Sequence, residues 1–166
     1  MGRGRTTTAM IICSLVELVS YHLRFKGPAP QHIHPMQVTR SVSASYEHKE
    51  RLLGGEYKLT LNLLRLLNDG KLSKALVDKA VDKFSHVQNL REAIYEMKIR
   101  YEALEHTASQ KLESFIRAKN YLLRYFYLIV FASFLLEQPT ISFSEWLRHR
   151  SEIGNLSNEA GDDFEK

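Results

Sequence analysis

Tyr125-Phe126-Tyr127-Leu128-Ile129-Val130-Phe131-Ala132-Ser133-Phe134-Leu135-Leu136 is the longest apolar stretch in the chain, and its reading decides the fold class. Arg124 precedes it and Glu137 follows it. A membrane-spanning helix needs roughly 20 apolar residues, whereas a run of about 10–14 marks the buried helix of a globular core. The run falls in a helix expected over residues 109–137, which Pro139 stops. Its aromatic residues are distributed around the helix. That spacing reads as core packing rather than as a platform for stacked bases. A soluble, cytosolic protein without a transmembrane segment is expected.

The same helical period runs through the flanking sequence. Leu59, Leu63, Leu66 and Leu67 form one apolar face, broken by the turn Asn68-Asp69-Gly70. Leu72, Leu76, Val77, Val81 and Phe84 form a second. Asn89 with Glu92 reads as an N-cap pair, and it opens a third helix through Leu90, Ile94, Met97, Tyr101 and Leu104. Ser142 and Glu145 form a capping box ahead of Trp146, a packing anchor, in a short helix ending near Ile153. At the other end, Ile12, Leu15, Val16, Val19 and Leu23 line a helix over 6–24 that stops at Gly27-Pro28-Ala29-Pro30. No segment carries strand signals. The chain as it stands is all-α, with about six helices. Residues 1–26, a flexible loop or insertion at 27–53, a helical part at 54–153 and a disordered tail at 154–166 make up its organisation.

Composition narrows the function. The chain has 166 residues, a net charge of +4 and one cysteine. That excludes a disulfide framework and a cysteine-rich zinc site. Residues 1–51 hold seven basic and three acidic side chains, and the remainder holds sixteen of each. A nucleic-acid face beyond residue 51 is therefore not expected. His32 and His34 lack acidic or cysteine neighbours within ten residues, so they read as loop histidines and no metal site is expected. No cofactor is expected. Gly2 with Thr6 fits the loose myristoylation pattern, which short sequences match by accident. The apolar run from Ala9 to Val19 mimics a signal peptide poorly, because Glu17 interrupts it and no small-residue cleavage site follows.

One segment has the chemistry of an oxyanion cradle. In Gly2-Arg3-Gly4-Arg5-Thr6-Thr7-Thr8, two glycines flank an arginine and a second arginine meets the start of an apolar helix. Glycines let the backbone curl so that several N–H groups converge, and the helix N-terminus adds its positive end. An arginine there grips two phosphate oxygens in a fork. The alternative is a ragged basic N-terminus.

This segment resembles the phosphate loop of paladin-like cysteine phosphatases, whose signature runs Cys-Gln-Met-Gly-x-Gly-Arg-Thr-Thr and is matched from the Met onward. Gly54-Gly55-Glu56-Tyr57, Leu66-Leu67-Asn68-Asp69-Gly70, Tyr121-Leu122-Leu123-Arg124-Tyr125 and Phe143-Ser144-Glu145-Trp146 resemble that family's helical C-terminal part, in the same order. The resemblance implies an α/β phosphatase fold for the parent, with its sheet missing here. It assigns catalytic roles to Arg5, which steadies the transferring phosphoryl oxygens, and to Thr6, whose hydroxyl assists the departing sulfur. Gly2, Arg3, Gly4 and Arg5 are assigned to phosphate binding, Arg3 mainly as a surface charge shaping substrate preference. Substrates of the parent would be phosphorylated proteins or inositol phosphates.

The nucleophilic Cys should precede the loop arginine by six positions, which lies before Met1. The general acid is also absent. Cys13 lies eight residues after Arg5 within an apolar stretch, and a buried, structural role is expected for it. The chain is therefore expected to be a C-terminal fragment, inactive alone, whose partner is the upstream remainder of the phosphatase domain. The alternative is a helical interaction or regulatory module of pseudophosphatase type. The first helix is expected to expose a face that a sheet normally covers.

Overall fold

The computed structural model describes residues 3–25, 44–103 and 105–164, with backbone alone at 3–5 and 44–45. The described residues form eight α-helices: α1 (Arg3–Phe25), α2 (Ala44–Leu53), α3 (Lys58–Leu66), α4 (Gly70–Lys83), α5 (Leu90–Glu102), α6 (Ala108–Glu137), α7 (Phe143–Arg148) and α8 (Ser151–Ser157). A 3-10 turn, Asn158–Gly161, follows. No strand occurs among the described residues, so the all-α class holds.

The helix containing the opening run is the organiser. Along α6, Ala118, Leu122, Tyr125, Phe126, Ile129, Val130 and Ala132 are fully buried. The helix packs along α5 and also touches α4, α1, α3 and α7. Thr107 and Gln110 form a reciprocal capping box at its start, and Gln138 ends it in the left-handed conformation ahead of Pro139. Burying each large apolar side chain contributes roughly 1.5–3 kcal/mol, so this row dominates the core. Beyond it, Phe131, Phe134, Phe143 and Trp146 pack as an aromatic cluster. Glu137 accepts hydrogen bonds from Trp146 Nε1 at 2.9 Å and from Arg150 at 2.9 and 3.0 Å. Trp146 is the packing anchor expected.

Two turns are set by glycine. Gly55 has φ +77°, and a Cβ there would lie 2.7 Å from the Tyr125 hydroxyl. At Gly70 a Cβ would run into the Leu64 backbone, so α3 and α4 meet only through a residue without one. Asn89 caps α5 as expected, accepting from the N–H groups of Arg91 and Glu92.

The helix count exceeds the expected six for two reasons. Residues 44–53 are helical, within the stretch expected to be a loop. The prolines that suggested a loop all precede residue 36, and Tyr46-Glu47-His48-Lys49-Glu50-Arg51-Leu52 is a run of helix-compatible residues that buries only Leu52. The expected last helix is divided into α7 and α8 at His149–Arg150. The stretch from 154, expected to fray, is ordered to Phe164, because Ile153, Leu156, Ala160 and Phe164 recur at helical spacing and are buried. Leu66 is exposed rather than part of the apolar face.

Candidate functional site at the start of the first helix

α1 carries the residues the sequence singled out. Thr7, Ile11, Ser14, Leu15 and Val19 are buried on one stripe, which packs against α4 and α6. Helix elongation is cheap once such a stripe is docked. Accordingly the helix extends back to Arg3, and the loop expected over Gly2–Arg5 is helical from Arg3 onward. Gly2 lies outside the described residues. Arg3, Gly4 and Arg5 occupy the first turn of α1. Thr6 is exposed beside them.

The first turn holds no acidic residue. The positive end of the helix dipole is therefore not offset by a carboxylate of that turn. Arg5 shares that turn.

Cys13 does not take the buried role expected of it, because it is exposed. It stands about 200° around the helix from both Ile11 and Leu15, on the side away from the docked stripe. Ile12 and Val16, at 37% and 40% exposure, lie between that side and the core. Tyr21 and Phe25 are also exposed, with their rings 4.7 Å apart. The outer side of α1 thus leaves these apolar residues, alongside Glu17, Ser20 and Arg24, uncovered by the described residues.

Two of the other quoted motifs meet, through Gly54 and Tyr125, in a buried polar cluster. Asp78 on α4 receives the Tyr125 hydroxyl at 2.5 Å, the Arg91 guanidinium at 3.0 Å and Lys74 Nζ at 2.7 Å. Lys74 Nζ also donates to the Gly54 carbonyl at 2.6 Å, and Arg91 pairs with Asp82. Burial raises the Tyr125 phenol well above its ordinary pKa, and the Asp78 carboxylate adds to this. Burial works against the charge of Arg91, but Asp78, Tyr125 and Asp82 outweigh it and raise its pKa. The cluster ties the Gly54-Gly55 turn to α4, α5 and α6. Sequence reading missed it, and its one local signal was the Lys74–Asp78 pair at i, i+4 on a face otherwise apolar.

An open cleft of about 460 Å³ lies between α2 and α5, lined by Tyr46, His48, Lys49, Tyr95, Lys98 and Glu102 among others. No group of three or more metal-ligating side chains occurs among the described residues. His32 and His34 lie outside them. Two helical segments, Thr6–Phe25 and Ala108–Glu137, are long and apolar enough to cross a membrane by length and composition.

No family model matches the chain. No solved structure matches it. Curated relatives do. The chain is 31% identical to Paladin of Mus musculus over 176 aligned residues, covering 96% of this chain and 18% of the relative. It is 30% identical to Paladin of Danio rerio, covering 89% and 16%, and 31% identical to Paladin of Gallus gallus, covering 93% and 17%. The chain spans about a sixth of the length of the relatives it matches. Across nearly its whole length, this chain has a paladin-like family relationship.

Proposed function

We propose that this chain is the helical C-terminal part of a phosphatase-like domain, contributing a phosphate-binding turn and no nucleophile. The observation that carries the reading is the extent of the similarity to paladins. It covers 96% of this chain and 18% of the mouse protein, so the relatives contain far more than this helical unit. The uncovered apolar surface of α1 supports it. Ile12, Cys13 and Val16 sit where a further layer would pack.

In a complete site a cysteine at the helix N-terminus would be held as the thiolate by the N–H dipoles and the arginine. It would attack the phosphorus of a monoester, forming a phosphocysteine and expelling the alcohol or phenol. Arg5 steadies the charge on the phosphoryl oxygens through the transition state. Thr6 donates to the sulfur as it leaves, and the first-turn N–H groups hold the phosphate. Phosphoproteins or inositol phosphates are the proposed substrates of the complete domain.

The chain alone is expected to show no turnover of a small aryl phosphate. Turnover that survives Cys13→Ser and disappears in Arg5→Ala would contradict the missing nucleophile. A cytosolic location belongs to the same proposal, and retention of the chain in membranes after an alkaline wash would contradict it.

A second reading has a specific observation behind it. The helices from α2 onward share one core with a single stripe of α1, and the buried charges of α4 and α5 are paired with one another in the Asp78 cluster. That favours a helical interaction or regulatory module in which the first turn of α1 is vestigial.

A further inference from the structure

Helix α3 begins without a cap of its own. Tyr57 is its N-cap residue, and its side chain makes no capping hydrogen bond. The first N–H groups of a helix need acceptors. Here they find them 105 and 104 residues away, where Lys58 N–H donates to Asp163 Oδ1 at 2.7 Å and Leu59 N–H to Asp163 Oδ2 at 3.0 Å. Both carboxylate oxygens are used, at the positive end of the helix dipole.

The neighbouring residues hold this contact in place. Phe164 is 1% exposed and packs against the rings of Tyr57 and Phe115, each 6.2 Å away. Lys98 on α5 donates to the Asp163 carbonyl at 3.1 Å, and its Nζ lies 5.6 Å from the centre of the Phe164 ring. Ile153, Leu156 and Ala160 bury the path leading to it. The Tyr57 hydroxyl is buried without a hydrogen-bond partner. Burial, then the nearby Asp163 charge, raise its pKa.

We propose that residues 158–164 are a clasp. Asp163 caps α3 from the far end of the chain, Phe164 is the plug that seats it, and Lys98 fixes its backbone to α5. The clasp joins α3 to the last described element, so the helical unit from α3 onward closes on itself. It follows that α3 depends on the C-terminal segment for its first turn. Releasing the clasp loosens α3 first and leaves α1 and the Asn89-capped start of α5 in place. This holds whether or not α1 binds phosphate.

Amide hydrogen exchange on the full chain tests it. In Asp163→Ala, exchange at Lys58 and Leu59 should rise about tenfold or more, as for a lost helix cap. Asp163→Asn, which keeps the shape and one acceptor oxygen, should fall between the variant and the parent. Asp162→Ala, one residue away and exposed, should change neither amide. The Arg91 and Glu92 amides should keep their protection throughout. Should Asp163→Ala fail to fold, the Asn variant against the Asp162 control gives the same comparison. Unchanged exchange at Lys58 and Leu59 in the Asp163 variants, or equal loss in Asp162→Ala, would overturn the clasp.

Discussion

The two longest helices, α1 and α6, are similarly apolar, and the fold uses them differently. In α6, 44% of the most apolar window is buried, against 28% in α1. α6 is flanked by α5, α4, α1 and α3, which cover most of its apolar residues and leave Leu112, Ile116 and Tyr127 exposed. α1 docks along one stripe only, and its other side leaves Ile12, Cys13, Val16, Tyr21 and Phe25 at the surface. Most of the apolarity in α6 is accounted for by the core. Apolarity on the outer side of α1 is not, and that helix is the one that starts with the phosphate-loop resemblance.

The largest effect should come from the centre that α6 shares with α4 and α5. Asp78→Ala leaves Lys74 and Arg91 buried without their common partner, and a loss of about 3–5 kcal/mol in urea unfolding is expected. A loss under 1 kcal/mol would mean the cluster is not the junction described. Next, adjacent isoleucines on α1 should differ. Ile11→Ala empties a docked site and should cost about 2–5 kcal/mol, whereas Ile12→Ala should cost less than about 1 kcal/mol. Equal losses would show that both sides of α1 are covered. Smaller again is a pH effect confined to the core. Tyr57 and Tyr125 are held protonated when folded, while in the unfolded chain they titrate near pH 10, as is usual for tyrosine. The folded state then binds more protons than the unfolded one above about pH 10. Their contribution is complete below that pH and is lost as pH rises towards the folded values. Each tyrosine should lower stability by up to about 1.4 kcal/mol per pH unit there. Tyr125→Phe should flatten the alkaline slope, and an unchanged slope would contradict the assignment.

The helices that sequence reading recovered are those whose signals are local. The Leu59–Leu63 spacing, the Asn89 cap and the stop at Pro139 each act within a few residues. What it missed depends on partners far apart in the chain. Gly54, Lys74, Asp78, Arg91 and Tyr125 meet only when four elements are assembled, and no spacing among them announces it. The final segment looked polar because Leu156, Ala160 and Phe164 are isolated among hydrophilic residues, yet each falls on the buried side. Cys13 was misjudged because an apolar neighbourhood in sequence is not a buried side of a helix. Arg5 and Thr6 were legible as a motif, and the structure sets them in the first turn of α1.

The most direct test of the central claim is an amide chemical-shift titration of the intact chain with inorganic phosphate. The account predicts saturable shifts at residues 3–8, absent in Arg5→Ala, with the α6 amides unmoved. No shift at residues 3–8 at saturating phosphate, or equal shifts in Arg5→Ala, would contradict it.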